Sequence, residues 1–167
     1  MLNIHLIHVE QEINMIRELF YENLCEVQPL IASELNMNLD VDEYLENNLA
    51  NLNQFTAPYG GLFIAQIEGK TIGCAGFRQN SQEIAEVKRM YVKPEYRRQG
   101  IGRALLQTVI NQTRNIGYKK LRLDTACFAK QAQALYHSFG FQKIPPYLES
   151  DIPEYLHPKW VFMELQL

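Results

Sequence analysis

Residues 87–106 read Val-Lys-Arg-Met-Tyr-Val-Lys-Pro-Glu-Tyr-Arg-Arg-Gln-Gly-Ile-Gly-Arg-Ala-Leu-Leu, and this stretch decides the fold. Val87 to Val92 is rich in β-formers and predicts a strand. Pro94 ends it, because proline has no N–H to give to a ladder. From Ile101 the apolar residues Ile101, Ala104, Leu105, Val109 and Ile116 fall at helical spacing. Between strand and helix lie Arg97, Arg98, Gln99, Gly100, Ile101 and Gly102. The two glycines allow positive φ and close approach of the backbone to a ligand. The first N–H groups of the helix have no internal partner and point into this loop, where the helix dipole favours negative charge. With two arginines added, the loop is a phosphate cradle.

Two other phosphate motifs fail here. A Walker loop needs Gly-Lys-Ser/Thr, whereas Gly102 is followed by Arg103 and Ala104. A dinucleotide fingerprint needs a small residue three positions after the second glycine, where this chain has Leu105.

The 167 residues suit one domain over 1–167. At 47% hydrophobic and 21% charged, the chain can bury a sizeable core. A formal net charge of −3 disfavours a general nucleic-acid binder. No apolar run approaches the ~20 residues that span a membrane, and residues 1–5 do not open a signal peptide. Cys25, Cys74 and Cys127 are odd in number and widely spaced, so neither a metal site nor a disulfide framework is expected. A reduced, cytoplasmic setting is the expectation.

Taken in order, residues 2–9 predict a strand, and Ile13, Ile16, Phe20 and Leu24 mark a first helix. Asp40 and Glu43 form a variant capping box that starts a second helix. Residues 62–67 and 71–77 predict a hairpin, followed by a long strand over 83–92. After the loop and third helix, Gly117 is a C-cap and 119–124 a fifth strand, parallel to the fourth through the crossover. Ala132, Leu135, Tyr136 and Phe139 lie on one face of a short fourth helix. Residues 141–144 and 160–165 are further strands, separated by a proline- and tyrosine-containing loop. The fold class is a mixed α/β sheet with helices on both faces. Strict alternation in the fourth strand puts Glu86, Lys88 and Met90 on one face and Val87, Arg89 and Tyr91 on the other.

The loop resembles the acetyl-CoA loop of the GNAT acyltransferases, Gln/Arg-x-x-Gly-x-Gly/Ala, with Arg97, Gly100 and Gly102 in the fixed positions. The likeness continues in Met90-Tyr91-Val92-x-Pro94 before the loop. It also continues in Leu121-Arg122-Leu123-Asp124-Thr125 and Leu135-Tyr136-x-x-x-Gly140-Phe141 after it. It covers about residues 61–141 well and the rest in outline. It implies a mostly antiparallel sheet of about six or seven strands whose parallel fourth and fifth strands splay apart. It implies acetyl-CoA as cosubstrate, with Met90, Tyr91 and Val92 pairing with the pantetheine arm. Arg97, Arg98, Gln99, Gly100, Ile101, Gly102 and Arg103 would hold the pyrophosphate, and Thr125 is added as a cofactor contact.

The implied activity is N-acetyl transfer from acetyl-CoA to a primary amine of a small molecule or peptide, by direct attack in a ternary complex. A non-catalytic acyl-CoA-binding module is the alternative. Tyr136 is placed by the resemblance as the acid that protonates the thiolate. Glu86 is the first candidate for the base, and a partner of Lys88 or Arg89 on a wet strand is its other reading; Glu83 and Asp124 follow. Three departures stand out: Ala129 replaces the asparagine common in the family, Cys127 falls near the expected acyl site, and residues 145–157 have no recognised signature. In that last segment Glu149, Asp151 and Glu154 would suit a cationic amine. A homodimer is compatible with apolar faces on an outer strand.

Overall fold

The structure is a computed structural model that describes residues 1–167, with the side chains of Val9 and Glu10 set aside. The elements are β1 (Leu2–Leu6), α1 (Val9–Leu35), α2 (Val41–Ala50), β2 (Gly61–Ile67), β3 (Lys70–Gln79), β4 (Ile84–Val92), α3 (Ile101–Ile116), β5 (Lys120–Ala126), α4 (Lys130–Ser138), β6 (Gln142–Ile144) and β7 (Trp160–Gln166). All seven strands join one sheet in the order β1-β2-β3-β4-β5-β7-β6. Only β4 and β5 run parallel.

Local sequence chemistry sets these elements. Asp40 caps α2 by accepting a hydrogen bond from the Glu43 N–H at 3.0 Å, as the capping-box reading predicts. The β2–β3 hairpin turns on two residues, Glu68 (φ 50°) and Gly69 (φ 78°), flanked by the pair Ile67–Lys70. Two positive φ values in a two-residue loop match the strand twist. Gly117 ends α3 at φ 102°, and its N–H satisfies the Thr113 and Arg114 carbonyls.

The sheet has a core on each face. On one, α3 and α4 cover Val87, Leu121 and Leu123, and Leu105, Leu106 and Val109 are completely enclosed. Truncating one of these leucines to alanine would cost about 2–5 kcal/mol. On the other face α1 and α2 cover Ile64, Cys74 and Tyr91 with Leu19, Phe20 and Leu45.

Two irregularities in β4 position the site. The first is the end of its pairing with β5. The register runs Ile84–Lys120, Ala85–Leu121, Glu86–Arg122 and then stops. Two residues further on the side chains bridge instead, Lys88 Nζ to Asp124 Oδ2 at 3.0 Å. Beyond it the strands part, as the resemblance implied.

The second irregularity corrects the alternation expected from sequence. Against β3 the register jumps from Gly76–Lys88 to Cys74–Tyr91, so Arg89 and Met90 together oppose Ala75. This is a β-bulge, and Arg89 sits at φ 57°. The extra residue turns the rest of the strand over. Met90 and Val92 pack with Val87 against the α3 core, and Tyr91 joins the α1/α2 core. Arg89 lies over Phe20 and Phe55 on that second side. Met90 therefore does not share a face with Glu86 and Lys88, because the inserted residue shifts the period-2 pattern by one.

Candidate active site

The loop from Arg97 into α3 has the backbone chemistry of an anion site. The N–H of Arg97 donates to the Pro94 carbonyl, and the N–H of Ala104 donates to Gly100. None of the N–H groups from Arg98 to Arg103 has a hydrogen-bond partner among the described residues. Arg98 (φ 59°) and Gly100 (φ 81°) bend the chain so that these donors gather at the start of the helix. A Cβ built on Gly102 would meet protein atoms only at an ordinary 3.5 Å. Packing therefore does not demand a glycine there, and the room it leaves suits a ligand.

The loop arginines divide by role. Arg97 is tied to α1: its two terminal nitrogens each lie 2.7 Å from a Glu26 oxygen, and its Nε donates to the Val92 carbonyl at 2.8 Å. Its guanidinium also lies over the Tyr91 ring. The side chain expected to meet a phosphate thus braces the loop. Arg103 donates to Ser138 Oγ at 2.8 Å and stacks over Phe139. Arg98 is exposed and has no ion pair among the described residues, so it is the free cation of the loop. Sequence reading missed the brace. Glu18, Glu22 and Glu26, four apart on α1, hold Lys93, Arg97 and the Tyr91 hydroxyl. Their helical spacing is the signal that could have found it.

Beside β4 opens a cleft of about 860 Å³, walled by α1, α2, β4, β5 and residues 151–156. Met90, Thr125 and Tyr136 line it, as does Asp124. Tyr136 is almost wholly buried, and its hydroxyl has no hydrogen-bond partner among the described residues. Burial, with the nearby Asp124 charge, raises the affinity of this phenol for its proton. It therefore stays protonated through the physiological range and has a proton to give.

Glu86 is completely enclosed and does not line the cleft. Its carboxylate accepts from Arg78 Nε at 2.8 Å and from the Tyr147 hydroxyl at 2.8 Å, with Lys88 Nζ at 3.1 Å. Burial pushes this carboxyl up, and the Lys88 and Arg78 charges pull against that. Three donors around it favour the ionised form. Asp124 is the carboxylate at the parting of β4 and β5. It accepts from Lys88 and, at 3.1 Å, from the Trp160 indole, with Ser150 Oγ at 3.4 Å.

The segment that had no signature straps this network. Tyr147 reaches Glu86, and Asp151 pairs with Arg78 at 3.0 Å and Lys88 at 3.6 Å. Glu149 stands 3.7 Å from Arg122. The acidic residues expected to draw in a cation are thus in part already paired. Cys127 is half-buried and is not part of the cleft wall. Cys74 is enclosed and donates to the Arg89 carbonyl, and burial pushes its thiol up to about 12. Neither cysteine is presented as a nucleophile. Ala129 does line the cleft, and no longer side chain replaces the family asparagine at that point.

The chain thus combines a splayed parallel pair with a helix N-terminus whose six N–H groups are free among the described residues. The chain belongs to the acetyltransferase (GNAT) family, whose model matches residues 18–141. An N-acetyltransferase of Schizosaccharomyces pombe is 31% identical over 137 residues, covering 80% of each chain. Human N-acetyltransferase 8 is 35% identical over 112 residues, which is 60% of this chain and 49% of the human one. An acetyltransferase structure from Staphylococcus aureus matches 100% of this chain and 99% of its own at 25% identity and TM-score 0.69. The PaiA N-acetyltransferase of Thermoplasma acidophilum, solved with coenzyme A, has the same fold at TM-score 0.72 and 15% identity, over 100% of this chain and 99% of its own.

Proposed function

We propose that this acetyltransferase moves the acetyl group of acetyl-CoA to a primary amine of a small molecule or peptide in a ternary complex. The free N–H groups from Arg98 to Arg103 are the observation that carries the cofactor part of this reading. They would take the pyrophosphate, with Arg98 as the added charge. The edge of β4 beyond Glu86 has no strand beside it, and the amides of the pantetheine arm would supply the missing partners along Met90, Tyr91 and Val92. When bound, acetyl-CoA supplies the thioester.

The acceptor nitrogen attacks the thioester carbonyl, and the tetrahedral adduct expels the thiolate. Tyr136 donates its proton to that sulfur, and the second proton that the nitrogen loses as the amide forms returns to Tyr136 through water. A primary amine of pKa ~10.4 is almost fully protonated at neutral pH, so it must first lose a proton. Asp124, which lines the cleft, takes it directly or through water. Glu86 holds Arg78, Lys88 and Tyr147 in place and is a positioning residue. Such acid–base groups contribute ~10²–10⁴ in rate each.

Thermal unfolding with acetyl-CoA, free CoA and NAD tests the cofactor half. At about a hundred times its Kd a ligand adds ~2.7 kcal/mol, which for this length raises Tm by roughly 5–10 °C. Both CoA species are expected to do this and NAD is not. Thiol release over a panel of amines tests the transfer half. Binding with no transfer would leave an acyl-CoA-binding module.

A further inference from the structure

Arg89 is the one charge in the cleft that the protein leaves unanswered. It lines the cleft, and no carboxylate lies within ion-pair distance of it among the described residues. Its Nη2 donates to Asn48 Oδ1 at 2.7 Å, a neutral acceptor. Its Nε is fully buried without a partner, and Nη1 has no partner either. The rings of Phe20 and Phe55, 5.6 and 5.9 Å from its carbon, stabilise a cation only modestly. A guanidinium taken from water with so few acceptors is costly unless an anion joins it. The carboxylates facing the cleft are not free to move to it. Asp124 is held by Lys88 and Trp160, and Asp151 by Arg78 and Lys88.

The two sides of the cleft also differ in charge. Around the parting of β4 and β5, Asp124 and Asp151 face the cleft, and with the enclosed Glu86 behind them they outnumber Arg78 and Lys88 by one charge. On the α1/α2 side the charge is the unpaired Arg89. Between and around these, α1 presents Phe20, Leu24, Val27 and Ile31. One class of molecule matches all three features: a cationic amine, a carboxylate and an apolar side chain.

We propose that the acceptor is an amino carboxylate, an apolar amino acid or a compound of that form, whose carboxylate pairs with Arg89 while its amine lies toward Asp124. This rests on the transferase reading above and names the acceptor for the same site. It replaces the simple cationic amine suggested by Glu149, Asp151 and Glu154. The bulge explains why Arg89 can serve. Without the extra residue the side chain would point into the α3 core.

The experiment compares leucine, leucinamide and 3-methylbutylamine as acceptors, and the phenylalanine series in the same way, by thiol release from acetyl-CoA. The free amino acids are expected to exceed their amides and decarboxylated amines at least tenfold in kcat/KM. Arg89→Gln is expected to raise KM for the amino acids at least tenfold, erase the preference for a carboxylate, and leave KM for acetyl-CoA within twofold. If Arg89→Gln fails to fold, the wild-type comparison decides alone. Equal or faster acetylation of the carboxylate-free amines overturns this proposal and spares the transferase reading. Stabilisation by acetyl-CoA with transfer to no amine overturns both.

Discussion

The loop at residues 97–103 follows the end of β4 and the pocket around Arg89 lies on β4 itself, and they are built in opposite ways. The loop is made of consecutive residues and offers free backbone N–H groups. The pocket takes Arg89 from β4, Asn48 from α2, Phe20 from α1 and Asp124 from β5, and presents side chains. The first is a general device for a ligand that all such enzymes share. The second can vary residue by residue with little change to the sheet. That difference teaches where to look for cofactor and where for acceptor.

Mutations can break or sharpen this contrast. The largest expected effect is at Tyr136. Tyr136→Phe should lower kcat by ~10²-fold or more and leave KM for acetyl-CoA within twofold. Unchanged turnover would take the residue out of the chemistry. Next comes Glu86→Ala, which takes the enclosed carboxylate from between Arg78, Lys88 and Tyr147 and leaves Arg78 only Asp151 and Lys88 only Asp124 and Asp151 as acidic partners. Breaking a buried pair from one side costs about 3–5 kcal/mol, so denaturant unfolding should show a clear loss. A change below about 1 kcal/mol would mean that the network is not holding the site.

Arg97→Ala should act on the loop alone. With the Glu26 brace gone, KM for acetyl-CoA is expected to rise severalfold while acceptor preference stays unchanged. A shift in acceptor preference would show that loop and pocket are not separate.

The smallest effect is at Asp151. Burial pushes this carboxyl up, but the Lys88 charge and the Arg78 hydrogen bond outweigh it and hold it below the ordinary aspartate range. Its folded pKa is thus lower than its unfolded value of ~3.9. The stability it adds is present above ~3.9 and is lost as pH falls through the folded value. Being largely exposed, it should contribute under about 1 kcal/mol. Asp151→Asn should flatten the acid side of a stability–pH curve by that amount, and an unchanged curve would place the strap's hold elsewhere.

Legibility followed contact distance along the chain. Gly100, Gly102, Pro94 and the apolar spacing of α3 announce strand, loop and helix because their reasons are local: φ, a missing N–H, a helical period. The Asp40–Glu43 cap and the hairpin over residues 62–77 were readable for the same cause. The bulge was not, since it exists only as a register between Arg89–Met90 and Ala75 in another strand. Nor was the strap: Tyr147 bonds Glu86 across 61 positions, and Arg78 bonds the Glu149 carbonyl across 71.

By itself, then, the sequence determined a mixed sheet with helices on both faces and a glycine-containing turn into a helix after its fourth strand. Backbone propensities and glycine placement act over a few residues and need no partner to be read. Only the tertiary structure decided which charges answer one another. It paired Arg97 with Glu26, enclosed Glu86 among three donors, and left Arg89 open. Charge pairing depends on which elements meet, and a single strand's sequence carries no record of the neighbours it will face.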